Sequence, residues 1–331
     1  MARTLKAFAV FLSAFNACLL LGQENPRFHG ESQIVVIPAL VKASDGHTVY
    51  GLQANDFIVE DDGVEQAVQL DQSFDSAPAS IVVAVQTGRR ARREFSRIGQ
   101  LGSMLDDIVA EGPATSEITV VEFDSRVRTV RGFNRDDPPV ADYLSDLSPG
   151  DHGAAILDAV NYSVRLLSNL PKDHERMLLL ISETRDHGSH KTKVQDLVEA
   201  VGRTDVLMYT LVFSPSLSQV LDTERGLNRD EWRPAQAPLD VGGPLFMTMN
   251  AMRRNTAKSL ASMTGGEYEL FATGKTFEDH MFDFTNHLHN RYVLSFQPKQ
   301  PHPGLHRLSV RMRNASDHWT VLARTSYWAQ N

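Results

Sequence analysis

Hydrophobic positions follow two different patterns along the chain. Residues 33–42 and the segment after residue 291 contain short β-branched runs separated by turn signals, which are typical of antiparallel strands. Between them, continuous apolar runs such as residues 81–85 and 177–182 alternate with stretches of helical spacing, as in residues 92–110. Buried strands that alternate with amphipathic helices predict an α/β fold with a doubly wound, mostly parallel sheet and helices on both faces.

The same patterns predict the individual elements. The first region contains strand 33–42 and a hairpin in which segments 56–60 and 66–70 flank the turn Asp61-Asp62-Gly63. After strand 81–85 and helix 92–110, the alternation continues with strand 118–123, strand 127–133, helix 154–167, strand 177–182, helix 194–201, strand 206–213, helix 249–263, strand 267–271 and helix 277–288. The chain then returns to strands at 292–296, 305–312 and 319–323.

Strand-forming segments at both ends of the alternation indicate how the domains are organised. We expect residues 32–76 and 292–328 to pair as the two parts of one small antiparallel β unit. Residues 79–291 would then be an α/β domain inserted into that unit. Within it, residues 214–245 contain four prolines and many charges without periodicity, which predicts an irregular excursion.

The first 22 residues predict a secretory signal peptide. Arg3 and Lys6 precede an apolar run over residues 7–21, and the small residue Gly22 follows it. The run of about 15 residues is shorter than the roughly 20 that a membrane span needs. We therefore expect a secreted or periplasmic protein with no membrane span in the mature chain. An uncleaved anchor and lipid attachment at Cys18 are the alternatives.

Composition and charge exclude several classes of protein. The chain has 331 residues, of which 42% are hydrophobic, and one cysteine, which excludes a disordered chain and a disulfide scaffold. Its 33 basic and 41 acidic residues give a formal charge of −8, which argues against a broad surface for nucleic acid. The sequence does not fix the oligomeric state.

No motif of a known catalytic or cofactor site occurs in the chain. It lacks a Gly-x-Ser-x-Gly elbow, a His-Glu-x-x-His pair and a phosphate-binding loop, so we expect no enzyme activity, no catalytic residue and no cofactor. Histidines do lie close together in sequence, but spacing fixes no third ligand for any of these groups, and no metal site is predicted from them. The groups are His187 with His190, His280 with His287 and His289, and His302 with His306.

From about residue 35 to residue 328 the sequence resembles the bacterial secreted VWFA-related proteins. The resemblance lies in residues 51–63, in 79–85, in 178–188 with 194–213, and in 292–296 with 321–327. It implies a central von Willebrand factor type A domain. In that domain an Asp-x-Ser-x-Ser motif, a Thr and a further Asp hold a divalent cation at the carboxyl ends of the sheet strands, and a partner's carboxylate completes the coordination.

The positions that correspond to these metal ligands depart from the family pattern. Gln86, Gly88 and Arg90 stand in the places of the Asp and the two Ser, Ala154 in that of the Thr, and Glu183 in that of the second Asp. Only Glu183 supplies an anionic oxygen, and Arg90 adds a positive charge that opposes a cation. The resemblance therefore implies a degenerate site at these five positions that holds no metal.

Four arginines crowd the predicted start of helix 92–110, at positions 89, 90, 92 and 93. Cations at a helix N-terminus oppose the helix dipole, so we expect compensation by Glu94, Glu183 or Asp186. Two interpretations stay open. Either Arg90 takes the former metal position and binds a partner's carboxylate, or the arginines are solvated and one of them neutralises Glu183.

The expected function is that of an exported, non-enzymatic protein-binding or adhesion-type module that binds its partner without a divalent cation. The alternative is a structural or assembly factor of a cell-envelope complex, which would use the β unit and residues 214–245 as its interface. A hydrolase that uses Glu183 and Asp186 is a third hypothesis, but the sequence supplies no acid and base at a known separation.

Overall fold

Continuous apolar runs form the central sheet of the protein. Its structure is a computed structural model that describes residues 34–71, 77–134, 136–171, 173–213, 243–271, 274–314 and 318–330. The central strands are β5 (Ala79–Gln86), β6 (Glu117–Phe123), β7 (Val127–Arg131), β8 (Glu175–Ser182), β9 (Leu207–Phe213) and β10 (Tyr268–Phe271). They lie in the order β10-β9-β8-β5-β6-β7, and all neighbours are parallel except β7, which is antiparallel to β6. This doubly wound order reverses between β5 and β8, where folds of this kind bind ligands.

Helices cover both faces of this sheet because successive residues of each strand point to opposite sides. Ile81 and Val83 of β5 pack with one group of helices, and Val82 and Ala84 pack with the other. The first group comprises α1 (Phe95–Glu111), α2 (Val140–Ser145) and α7 (Gly274–His289). The second comprises α3 (Ile156–Ser168), α4 (Val194–Arg203), α5 (Pro244–Arg254) and α6 (Thr256–Thr264).

Segments from the two ends of the described chain pair as antiparallel strands. Their bounds are β1 (Val35–Lys42), β2 (Phe57–Asp61), β3 (Val64–Glu65), β4 (Val68–Asp71), β11 (Tyr292–Phe296), β12 (Gly304–Met312), β13 (Thr320–Ala323) and β14 (Ser326–Ala329). Within the described residues they form two sheets, with the orders β13-β1-β11-β4 and β14-β12-β2-β3. Alternate residues of these strands build a third apolar core, which includes Ile37, Phe57, Leu294 and Tyr327.

This arrangement confirms the predicted fold class, a mostly parallel doubly wound sheet together with an antiparallel β unit from both chain ends. The domain boundaries at residues 79 and 291 stay predictions. The predicted signal peptide and residues 214–242 lie outside the described residues. No helix of the described part is both long and apolar enough to cross a membrane.

Several predicted elements were wrong in detail. The turn Asp62-Gly63 joins β2 to β3, whereas residues 68–71 leave that sheet and pair with β11. The single helix predicted over 249–263 is two helices, because Asn255 leaves the helical conformation and its side chain accepts a hydrogen bond from Lys258 N. Helix α5 begins at Pro244 and so overlaps the end of the predicted excursion. Elements α2 and β14 were not predicted.

Candidate functional site

The five degenerate positions gather at the carboxyl ends of β5 and β8. Gln86, the last residue of β5, is buried, and its Oε1 accepts a hydrogen bond from the backbone N–H of Glu183 at 2.9 Å. Glu183 follows β8 directly, and parallel pairing of the two strands places it beside Gln86. Gln86 Nε2 and Glu183 Oε1 are buried and have no hydrogen-bond partner among the described residues. A buried hydrogen-bond donor and a buried acceptor therefore have no partner among the described residues at the place where the strand order reverses, between β5 and β8.

The other carboxylate oxygen of Glu183 contacts two basic groups. His187 Nε2 lies 2.7 Å from Glu183 Oε2, and Arg90 Nη1 lies 3.6 Å from the same oxygen. The Glu183 side chain is 6% exposed, whereas those of Arg90 and His187 are 59% and 37% exposed. A buried carboxylate thus lies beside one nitrogen of the Arg90 guanidinium, while more than half of the Arg90 side chain stays exposed.

Backbone contacts between neighbouring loops fix the positions of Gly88 and Ala154. A Cβ on Gly88 would lie 2.3 Å from the carbonyl oxygen of Gly153, so that carbonyl takes the space of a side chain at position 88. Arg89 N donates to Asp151 O at 2.7 Å. Ala154 and His187 exchange backbone hydrogen bonds of 2.7 and 3.0 Å, which brings the His187 loop against the Ala154 loop.

Asp151 organises the loop that faces Gly88, and sequence reasoning missed this role. Its carboxylate accepts hydrogen bonds from the Ser125 hydroxyl, from Gly153 N at 2.7 Å and from Ser125 N at 3.1 Å. These hydrogen bonds, that of the Ser125 hydroxyl first, lower the pKa of Asp151. The Asp-x-Gly spacing at residues 151–153 was the signal, because an Asp side chain that accepts from the backbone N–H two residues later forms a local turn.

Two other acidic side chains near the site accept hydrogen bonds mainly from backbone N–H groups. Asp186 Oδ1 accepts from Leu157 N at 3.0 Å and from Ser189 Oγ at 2.5 Å. Asp158 accepts from the backbone N–H groups of residues 190–192. Burial raises the pKa of Asp158, but these hydrogen bonds outweigh burial and lower it. Within the described residues, Asp186 therefore contacts none of the four arginines.

The arginines form an exposed basic segment on a 3-10 helix over Arg89–Glu94, directly before α1. Arg89, Arg90, Arg92 and Arg93 are all exposed. Glu94 pairs with Arg97, three residues on, and not with one of the four arginines. Of the four, Arg90 alone has an acidic partner within the described residues, and that partner is Glu183. These four residues constitute the arginine segment.

The side chains at the five positions do not fit a magnesium or calcium ion. Such ions take oxygen ligands, with carboxylates prominent among them. Gly88 and Ala154 carry no side-chain oxygen, and Glu183 is the one anionic group of the five. That carboxylate already has the Arg90 guanidinium within 3.6 Å, and a cation placed beside the guanidinium would be repelled.

The structure separates the histidines that sequence spacing had grouped. His187 contacts Glu183, whereas His190 contributes its backbone N–H to Asp158. His280 Nε2 lies 3.1 Å from Leu270 O, away from the partners of His287. The side chain of His289 lies outside the described residues. His302 and His306 do lie together, in a group with Asp62 that the spacing gave no reason to include.

A second buried glutamate, Glu267, lies just before β10. Arg291 Nη2 donates to Glu267 Oε1 at 2.9 Å, and Lys42 Nζ donates to Oε2 at 2.8 Å. His287 Nδ1 lies 3.1 and 3.0 Å from the two oxygens. Burial raises the pKa of Glu267, but the hydrogen bond of His287 and the charges of Arg291 and Lys42 outweigh it and lower the pKa to about 2.

Of the comparisons with known proteins, the one with solved structures finds matches. A scan against protein-family models finds no match, and a search of curated proteins finds none either. One similar structure is the conserved hypothetical protein BatB from Bacteroides thetaiotaomicron, with 13% identity, a TM-score of 0.41, and coverage of 63% of this chain and 98% of that one. An aerotolerance-related membrane protein from Bacteroides fragilis, with multiple mutations to serines, has 14% identity, a TM-score of 0.40 and the same two coverages.

Proximal thread matrix protein 1 from the mussel byssus is also similar, with 12% identity and a TM-score of 0.44. The match covers 70% of this chain and 51% of that one, so this chain spans about half the length of the mussel protein. A further structure of the mussel protein has a zinc-occupied MIDAS motif. At these TM-scores the fold of the present chain rests on its own strand order rather than on these similarities.

Proposed function

We propose that this chain is an exported, non-enzymatic module that binds an acidic protein partner at the carboxyl edge of its parallel sheet, without a divalent cation. The observation that carries the proposal is the arginine segment beside Glu183. Three of its four exposed guanidinium groups have no acidic partner among the described residues, in a chain whose formal charge is −8. Such a segment at a ligand-binding edge of a doubly wound sheet favours a carboxylate-rich ligand.

The exposure of Arg90 and its contact with Glu183 support a direct role of this residue in binding the partner. Its contact with Glu183 orients the guanidinium, while 59% of the side chain stays exposed. A guanidinium has five N–H donors in a planar fork, so one edge can face Glu183 while another pairs with a partner's carboxylate. This arrangement combines the two interpretations that the sequence left open, since Arg90 neutralises Glu183 and still presents donors to a ligand.

The donor set of the site supports binding that does not depend on magnesium or calcium. In the type A domains that the sequence resembles, the ion attracts the partner's carboxylate. Here the arginine segment would supply that positive charge as fixed protein groups. Because these groups lie near the surface, binding should weaken as ionic strength rises.

The test measures the binding of a glutamate-rich peptide to the full chain by calorimetry, with and without EDTA. We expect Arg90→Glu to weaken binding about tenfold or more, because the reversed charge repels the peptide. Arg311→Glu is the matched control, since Arg311 is also about half exposed and also pairs with one glutamate, Glu60. EDTA should leave the affinity unchanged.

Two outcomes contradict the proposal. One is binding that EDTA abolishes, and the other is an equal loss of affinity in Arg90→Glu and Arg311→Glu. The alternative of an assembly factor predicts that Arg90→Glu is silent in a pull-down from the native envelope fraction, whereas deletion of residues 216–243 removes the partner. That comparison separates the two functions, because they predict opposite outcomes for the two variants.

A further inference from the structure

We propose that Asp62, His302 and His306 form a site for a transition-metal ion, with Zn²⁺ as the ion that best suits its ligands. Within the described residues, one ligand atom of each of these side chains lies within 4.8 Å of the others. Asp62 sits in the turn after β2, and antiparallel pairing of β2 with β12 brings that turn to the start of β12. The site therefore joins segments some 240 residues apart in sequence.

The distances between donor atoms are close to those of a tetrahedral zinc site. Asp62 Oδ2 lies 3.0 Å from His302 Nε2 and 3.0 Å from His306 Nδ1. Zinc bonds of about 2.0–2.1 Å in a tetrahedron separate the donors by roughly 3.3 Å. The three side chains would need to open by a few tenths of an ångström to hold the ion. Asp61 Oδ1, which is 2.9 Å from His306 Nδ1, is within reach as a fourth donor.

Backbone groups hold the outer atom of each proposed ligand. His306 Nε2 lies 2.7 Å from His302 O, and His302 Nδ1 lies 3.3 Å from Pro303 O. Arg307 N donates to Asp62 Oδ1 at 3.0 Å. Metal-ligating histidines commonly donate their second N–H to a carbonyl or carboxylate, and ligating carboxylates are hydrogen-bonded in turn. All three side chains follow this pattern, which leaves one inner atom of each directed at the others.

The inner nitrogens face the carboxylates that would share the ion. His302 Nε2 faces Asp62, and His306 Nδ1 faces Asp61, Asp62 and the hydroxyl oxygen of Tyr327, which donates to Asp61 Oδ2. The two rings are stacked, with centroids 3.8 Å apart and an angle of 14° between them, so their inner nitrogens can reach one ion.

The donor chemistry selects among ions. Two imidazole nitrogens and one carboxylate suit zinc and related transition metals, whereas magnesium and calcium take oxygen ligands. The His302 and Asp62 side chains are 51% and 31% exposed, so an ion can reach the site from solvent. A bound ion would cross-link the hairpin of β2 and β3 to β12 and would stabilise the pairing of the two chain ends.

The test uses the full chain, stripped with EDTA and dialysed, and titrates it with Zn²⁺ alone by calorimetry. We expect one Zn²⁺ per chain and a higher unfolding temperature in its presence. Ca²⁺ and Mg²⁺ at the same concentration should change neither. Co²⁺ should give the absorption bands of a tetrahedral or five-coordinate ion with nitrogen and oxygen ligands.

Two variants separate this site from adventitious zinc binding. Asp62→Asn removes the anionic ligand and keeps a residue that tolerates the positive φ of 49° at this turn. His302→Ala removes an exposed ligand. Each should weaken zinc binding about tenfold or more, because the loss of a supporting group alone costs roughly 10–100-fold.

The matched controls are His47→Ala, which removes another exposed His–Asp pair, and Glu183→Gln, which alters the contact of His187 with a carboxylate. Both should bind zinc as the parent chain does. Absence of stoichiometric zinc uptake by the parent chain overturns the proposal. Uptake that survives in both Asp62→Asn and His302→Ala overturns it as well. Far-UV circular dichroism of each variant verifies that the fold is kept.

Discussion

Two buried glutamates, Glu183 and Glu267, lie next to strands of the same parallel sheet but have different surroundings. Both oxygens of Glu267 contact basic groups that are themselves mostly buried, namely Lys42, His287 and Arg291. Glu183 has one oxygen without a hydrogen-bond partner among the described residues, and its basic neighbours Arg90 and His187 are substantially exposed. The two glutamates therefore differ in their partners rather than in their burial.

The difference between the two glutamates is tested most directly by replacing each of them with glutamine. Glu267→Gln leaves the buried guanidinium of Arg291 without its counter-charge, and we expect a loss of about 3–5 kcal/mol in the free energy of unfolding. Glu183→Gln should cost at most about 1 kcal/mol, because Arg90 stays solvated. Urea unfolding at neutral pH measures both. Equal losses would show that the two glutamates have the same structural role.

The pH dependence of stability tests the contribution of Glu267 independently. The pKa of Glu267 falls from 4.5 to about 2 on folding, so the unfolded chain binds more protons between these values. The stabilisation is therefore complete above pH 4.5 and is lost as the pH falls toward 2, by about 3 kcal/mol in total. Urea unfolding between pH 5 and 2.5 should show a smaller fall for Glu267→Gln than for the parent chain. Parallel curves would contradict the assignment.

The smallest expected effect concerns the arginine segment. Arg92 is exposed in the last turn of the 3-10 helix, three residues before α1 begins at Phe95, and a cation there opposes the dipole of α1. Arg92→Glu should therefore raise the free energy of unfolding by about 0.3–1 kcal/mol, while it weakens binding of the acidic peptide. Arg203→Glu is the control and should lower stability, because Arg203 pairs with Glu199 and lies in the last turn of α4, where a cation is favourable. A loss of stability in Arg92→Glu would show that the segment serves the fold.

The sequence contained enough information to predict where the site lies. The apolar runs of β5 and β8 are long, and the residues that follow adjacent parallel strands meet at one edge of a sheet. The resemblance to the type A domains implied that Gln86 and Glu183 belong to one site, and a hydrogen bond joins them. The sequence also predicted that the two chain ends pair, because strand patterns occur both before and after the alternating strands and helices.

Contacts that depend on loop geometry or strand register could not be predicted from the sequence patterns. His187 meets Glu183 through a loop whose course no periodicity describes, and Gly188 in that loop has a φ of 138°. Asp62 meets His302 only because β12 pairs with β2 in one register, and a shift of one residue would turn those side chains to the other face. Asn255 interrupts a continuous apolar pattern with its own side chain, which the pattern does not record.

The pairing of β1 with both β11 and β13 has a consequence for how the protein matures. A polypeptide emerges N-terminus first, so β1 must wait for more than 250 residues to follow before its neighbours exist. During that interval its apolar residues and its backbone hydrogen-bonding groups are open to other chains. Assembly of the β unit is therefore expected to be slow, post-translational and sensitive to crowding by nascent copies, and a holdase that shields β1 should raise the yield of folded protein.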